Sequence, residues 1–285
     1  MRLCRFETNH GQPRIGCLID DSSLLDLTEA GINQMELLIE SDDSLARLEQ
    51  LVREKLPRLA LSTVRLLAPV ERQEVWAAGV TYLRSKKARM DESEFSATAY
   101  DRVYDAERPE LFFKSPPEKV VPSGGPVGIR RDARWSVPEP ELALVLNSRG
   151  SIVGYTIGND MSSRDIEGEN LLYLPQAKIY RGSCALGPCI RLGASESTAR
   201  EWKIRMKIIR HDQAVFSGET SVDQVKRRFD ELAQFLFRSQ SFPHGAVLLT
   251  GTGVVPPDTF TLQEEDVVEI EVTGIGLLRN PVMTV

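Results

Sequence analysis

The 285-residue chain is poor in the residues that most often announce a chemistry: it holds four cysteines, Cys4, Cys17, Cys184 and Cys189, and three histidines, His10, His211 and His244. Four thiols without histidines beside them are too few for a disulfide scaffold and complete no zinc site. CALGPC is too widely spaced for a redox CxxC, so all four read as reduced, packed side chains. No apolar run approaches the roughly 18 to 20 residues of a membrane helix. The opening MRLCRFETNHGQPRIG lacks the apolar core of a signal peptide, and a cytoplasmic setting is expected. There is no long basic run either, and the formal charge is 35 − 41 = −6. Phosphate binding needs clustered Lys and Arg, so neither nucleic acid nor membrane is expected as a partner. GxxxxGK[ST], GxSxG and HExxH are absent, which removes the usual signatures of nucleotide hydrolysis, serine hydrolysis and zinc proteolysis. The GTG at 251–253 and GIG at 274–276 do not continue to GxGxxG and read as turns.

What is present fits small-molecule chemistry on a β-rich α+β scaffold. Residues 1–70 combine short apolar runs with DDSLARLEQLVREKL, where Leu45, Leu48, Val52 and Leu56 recur at helical spacing and Ser41, Asp42 and Asp43 offer cap chemistry. They read as a small N-terminal α/β domain. From 71 to 285 short runs rich in Val, Ile and aromatics dominate, VWAAGV, ELFFK, ELALVLN, SIVGYTIGN, WKIRMKIIR, AVLLTGTG and DVVEIEV, separated by Gly, Pro or Asp. One long helix is predicted over SVDQVKRRFDELAQFLFRS, with a core stripe of Val222, Val225, Phe229, Leu232 and Leu236. Strands and helices do not alternate as in a doubly wound domain.

The chemistry concentrates at WSVPEPELALVLN. Glu139 and Glu141 are two apart, so in a strand their carboxylates share one face and repel. A hard divalent cation between them makes the pairing favourable. Asp160, at the mouth of the strand in GYTIGNDMSSRD, supplies a third oxygen ligand. The competing reading is two solvated strand-end glutamates and a turn aspartate. Glu110 and Lys114 in PELFFKS and Lys178 in LPQAKIYRG are either exposed or placed beside such an ion, where a lysine serves as proton carrier or clamp.

These elements together resemble the fumarylacetoacetate hydrolase superfamily, from about residue 74 to the end. The family's ExE appears as Glu139-Pro140-Glu141 and its NDxxxRD as Asn159 to Asp165. Its LPxxK with a following GP turn matches LPQAKIYRGSCALGP, and its C-terminal elements match TGTGVV and GIGLLRNPV. The resemblance implies a mixed β-roll with a small N-terminal domain, assembled as a homodimer or homotetramer. It implies Glu139, Glu141 and Asp160 as ligands of Mg²⁺, with Mn²⁺ as the alternative, Lys178 as an active-site lysine, and Thr252 in the pocket.

One departure decides the activity expected. Hydrolases of the family carry a His and a Glu shortly after a GxNY element, and the pair activates water. Here GVTYLRSKKARMDES places Ser85 and Ala88 at those positions. The pattern is similar to the sugar-acid dehydratase branch, which acts on 2-keto-3-deoxy sugar acids. A 2-oxo acid chelates a divalent ion, which stabilises the enolate formed when a C3 proton is removed, and no activated water is needed. The resemblance thus implies a dehydratase of a 2-keto-3-deoxy pentonate giving 2,5-dioxopentanoate. Lys178 and Glu110 would share base and acid roles in either order, and Arg84, Ser85 and Arg89 would bind polar groups of the substrate. The alternatives are an acylpyruvate-type hydrolase or 2-oxo-acid decarboxylase, and a catalytically silent 2-oxo-acid binding protein.

Overall fold

The computed structural model describes residues 1–9, 11–82 and 103–285. The apolar runs named above form strands: Glu74–Gly79, Glu110–Ser115, Pro140–Leu146, Ile152–Asp160, Lys203–Arg210, Ala246–Thr252 and Val267–Val272. Most of the chain's hydrophobic surface is buried by an 11-stranded mixed sheet and a five-stranded one. Pro140–Leu146, buried on both faces, lies near the middle of the larger sheet between antiparallel partners Ile152–Asp160 and Ala246–Thr252. Its apolar run from Leu142 to Leu146 is what two-sided burial requires. Lys203–Arg210 in the second sheet instead alternates, with Ile204, Met206 and Ile208 inward and the charges outward.

Residues 1–70, proposed from the sequence as a small domain of their own, contribute strands to the larger sheet. Arg2–Glu7 pairs with Cys184–Leu192, with Leu3 opposite Ile190, so backbone hydrogen bonding crosses the boundary near residue 70. Leu3, Ile15, Leu38 and Leu48 of that segment share one buried cluster with Val75, Val145, Leu186 and Leu249. The helix Ser44–Val52 turns Leu48 and Leu51 inward.

Two local expectations are corrected. The helix predicted across 221–239 spans only Phe229–Phe237. Upstream, Val222–Gln224 form a separate 3-10 turn and the chain then runs extended: Val225 bridges Tyr82, and the Lys226 N–H donates to the Thr81 carbonyl at 3.0 Å. Val222 and Val225 are buried all the same, so the apolar spacing was a signal of burial and not of helix. The Gly187-Pro188 pair, expected as a turn, instead lies inside the strand Cys184–Leu192. All four cysteines are free and buried, and burial pushes the Cys184 and Cys189 thiols up to about 12. No helix among the described residues is long and apolar enough to cross a membrane.

Candidate active site

Five neighbouring strands of the larger sheet bring the predicted residues to one end. In register, Gly158 faces Glu141, Glu141 faces Thr252, Leu249 faces Ala77, and Gly79 faces Glu110. Asp160 therefore closes one strand, Glu139 and Glu141 open the next, Thr252 closes the third, and Glu110 opens the outermost. Lys178 arrives from outside the sheet, at the C-terminus of the short helix Leu174–Lys178. Glu110, Phe112, Glu139, Glu141, Asp160, Lys178 and Thr252 line one small cavity.

The trio Glu139, Glu141 and Asp160 is buried, and one carboxylate oxygen from each lies within 4.8 Å of the others. Lys178, 1% exposed, sits among them. Its Nζ donates to Glu139 Oε2 at 2.7 Å, Asp160 Oδ2 at 3.2 Å and Ser162 Oγ at 2.6 Å, and lies 3.9 Å from Glu167 Oε2. A second buried lysine, Lys114, pairs with Asp160 Oδ1 at 2.5 Å and donates to the backbone carbonyls of Met161 and Lys178. Arg164 pairs with the other oxygen of Glu139 at 2.9 Å. A bulge opposite Leu142 lets Gly251 adopt a φ of +91°, and its N–H donates to Glu141 Oε2 at 2.5 Å. Such bulges re-aim groups beside functional sites. A side chain at Gly251 would collide with Thr81 Oγ1 at 2.0 Å.

Arg164 and Glu167 were not singled out from the sequence as site residues, and Lys114 was read there as either exposed or beside the ion. Arg164 stands inside NDMSSRD and could have been read there, since a buried arginine must meet a carboxylate. Lys114 was visible in ELFFK, but nothing local told its burial. Thr252 donates to the Val254 carbonyl at 3.1 Å and borders the cavity. Arg84, Ser85, Arg89 and His10 lie outside the described residues. His244 contacts Glu36 and His211 occupies a turn, so neither belongs to the cluster. A larger hollow of about 540 Å³ between Arg65, Lys119, Pro122 and Arg181 gathers a single carboxylate, Glu118.

The donor set fits a hard divalent cation. Among the described residues four buried carboxylates, Glu139, Glu141, Asp160 and Glu167, face three buried cations, Lys114, Arg164 and Lys178. Glu141 is the member of the trio with no ion pair to a described cation. Its carboxyl is held well above the usual range, first by burial and then by the neighbouring Asp160 and Glu139 charges. Three oxygen ligands and a shortage of positive charge suit Mg²⁺ or Mn²⁺ better than zinc.

The sign of the pH effect follows. A carboxyl whose folded pKa is raised binds its proton more tightly when native, so the stability it adds is present below the unfolded value near 4.5 and is lost as pH rises toward the folded one. A divalent cation needs the ionised form. The rise in Tm on adding Mg²⁺ is therefore expected to be larger at pH 8 than at pH 5, as read by thermal melts of matched samples. An equal rise at both values would remove Glu141 from the binding site.

Comparison with known proteins agrees with this construction. The family model described as fumarylacetoacetate (FAA) hydrolase C-terminal matches residues 74–283, and the chain belongs to that family. Among its relatives, the probable 2-keto-3-deoxyxylonate dehydratase of Haloferax volcanii is 42% identical over 278 residues, covering 93% of this chain and 94% of the relative. The 2-dehydro-3-deoxy-D-arabinonate dehydratase of Saccharolobus solfataricus is 37% identical over 270 residues, covering 93% and 91%. A solved structure of 2-keto-3-deoxy-D-arabinonate dehydratase complexed with magnesium and 2,5-dioxopentanoate superposes with a TM-score of 0.80 at 33% identity, over 100% of this chain and 99% of that one.

Proposed function

We propose that the protein is a Mg²⁺-dependent dehydratase of a 2-keto-3-deoxy pentonate, releasing water and 2,5-dioxopentanoate. The observation that carries this reading is the buried trio Glu139, Glu141 and Asp160 with Lys178 Nζ set among its oxygens. Full-length likeness to dehydratases named for such acids, one of them solved with magnesium and that product, supports it.

Glu139, Glu141 and Asp160 would hold the cation. When bound, Mg²⁺ supplies the positive charge that holds a 2-oxo acid and makes its C3 proton more acidic. Lys178 is anchored by Ser162 and Glu167 as well as by Glu139 and Asp160, so its amine keeps its place when two of those partners turn to a cation. In its neutral form, which a cation beside it favours, it takes the C3 proton while Glu110 protonates the departing C4 hydroxyl, or the two exchange roles. Loss of water leaves a C3–C4 double bond. Transfer of a C5 proton to C3 gives the terminal enol, and its hydroxyl proton moves to C4 to yield the aldehyde. Arg84, Ser85 and Arg89 remain candidates for the substrate's polar groups on sequence grounds, and Thr252 for the cavity wall. The homodimer or homotetramer and the cytoplasmic setting belong to the same reading, the latter in keeping with four free, buried thiols.

The test is turnover of D and L 2-keto-3-deoxy pentonates with Mg²⁺ and with chelator, following the aldehyde. Chelator-sensitive formation of 2,5-dioxopentanoate is expected with at least one enantiomer. Pyruvate release from an acylpyruvate, without dehydration of either acid, would replace this reading by a carbon–carbon hydrolase. Ligand binding without turnover would leave a binding protein.

A further inference from the structure

The Glu110 carboxylate borders the cavity across a neighbour that has no side chain. Gly79 and Glu110 stand opposite one another in the antiparallel pair Glu74–Gly79 and Glu110–Ser115. Both line the cavity with the three carboxylates and Lys178. A Cβ placed on Gly79 would stand 1.9 Å from Glu110 Oε2 and 2.7 Å from its Cδ, and the three nearest atoms it meets all belong to Glu110. A separation of 1.9 Å is far inside van der Waals contact.

Backbone need does not account for this glycine. Gly79 is not among the residues with positive φ, and as the last residue of the strand Glu74–Gly79 it has a backbone that other L residues tolerate. Glycine in a strand commonly marks a close approach by another group. Here that group is a carboxylate folded over the Gly79 Cα at the end of the sheet where Glu139, Glu141 and Asp160 converge. Filling the space with a methyl group leaves the strand's conformation allowed, and the three nearest atoms it meets include none from the carboxylate trio. What must move is the far end of one flexible side chain.

We infer that Gly79 is a positioning residue for Glu110, its missing side chain being the seat on which that carboxylate rests beside the metal-ligand trio. The inference rests on the assignment of Glu110 to proton transfer in the dehydration. Its energetic content is geometric, since displacing a reacting group by about 1 Å costs roughly a hundredfold in rate.

The experiment compares the full-length proteins Gly79→Ala, Glu110→Gln, Glu110→Asp and Gly79→Ala/Glu110→Asp for kcat on the pentonate, for Mn²⁺ affinity by electron paramagnetic resonance, and for Tm. Gly79→Ala is expected to lower kcat by about a hundredfold while Mn²⁺ affinity and Tm stay at wild-type values. The double variant is expected to be more active than Gly79→Ala, because the shorter carboxylate clears the methyl group. A Gly79→Ala enzyme within twofold of wild type, beside an inactive Glu110→Gln, would overturn the positioning role and leave the proton-transfer role standing. Wild-type turnover by Glu110→Gln would overturn the proton-transfer role, and this inference with it. Loss of Mn²⁺ binding in Gly79→Ala would overturn it too, by showing that the methyl group disturbs the ligands.

Discussion

Glu141→Gln lowers turnover roughly a thousandfold, the equivalent of about 4 kcal/mol of transition-state stabilisation, and leaves the metal-free protein at least as stable as the wild type. The two effects have one origin. Glu141 is buried beside Asp160 and Glu139, and its charge is opposed by burial and by both neighbours. A neutral amide of the same shape removes that repulsion, and its oxygen still accepts from the Gly251 N–H that now reaches Glu141 Oε2 at 2.5 Å. The same change removes an anionic oxygen from the trio that is to hold Mg²⁺. The expected signature is therefore a metal-free Tm that is unchanged or higher, a Tm that no longer rises with Mg²⁺, and Mn²⁺ binding weakened in parallel with kcat. Turnover at the wild-type rate would sink the metal assignment, and a collapse of metal-free Tm would mean that Glu141 is needed by the fold.

Lys178→Met separates catalysis from cation binding. Removing a general base or acid costs about 10² to 10⁴ in rate, and kcat is expected to fall within that range. Mg²⁺ affinity moves the other way or stays put, because the ammonium that donates to Glu139 at 2.7 Å and Asp160 at 3.2 Å no longer competes for those oxygens. Methionine has nearly the length of lysine and suits a site closed on one side by Phe112, whose ring centroid is 5.9 Å from Lys178 Nζ. Isothermal titration with Mg²⁺, beside single-turnover kinetics, reads both quantities. If Mg²⁺ binding disappears together with the activity, Lys178 holds the carboxylates in place and the proton is moved by another group.

Much of this cluster was legible before any coordinates. Two glutamates two residues apart at the head of an apolar strand declare a shared face, and an aspartate at the end of the neighbouring strand is hard to explain except by a partner. The strand-forming runs were equally plain, because a β-branched segment between Gly, Pro and Asp has few other uses. Glu167 was not legible as a site residue, and for Lys114 the choice between exposure and a place beside the ion stayed open. Both are charged, and whether a charge is buried depends on residues far away in sequence, as with Lys114 and the Lys178 carbonyl. The helix starting at Phe229 was overextended for a related reason: Val222 and Val225 have helical spacing, yet Val225 answers to Tyr82, far away in sequence. Cys184–Leu192 escaped notice because Gly187 and Pro188 interrupt its apolar run, although the strand continues through them.

The pairing of Arg2–Glu7 with Cys184–Leu192 also bears on when the protein becomes competent. Leu3 and Ile190 are brought together across nearly two-thirds of the chain, while Gly79, Glu141, Asp160, Lys178 and Thr252 arrive from strands and a helix spread over residues 79–252. Contacts of such long range are entropically expensive until many form together. The carboxylate trio itself comes from one hairpin, Glu139 and Glu141 at the head of one strand and Asp160 at the end of the next, but Glu110 and Thr252 reach it only when the neighbouring strands have been added. The complete cavity therefore takes shape only once the strand ending at Thr252 has joined the sheet, so the walls around the carboxylates are among the last parts of the molecule to be set.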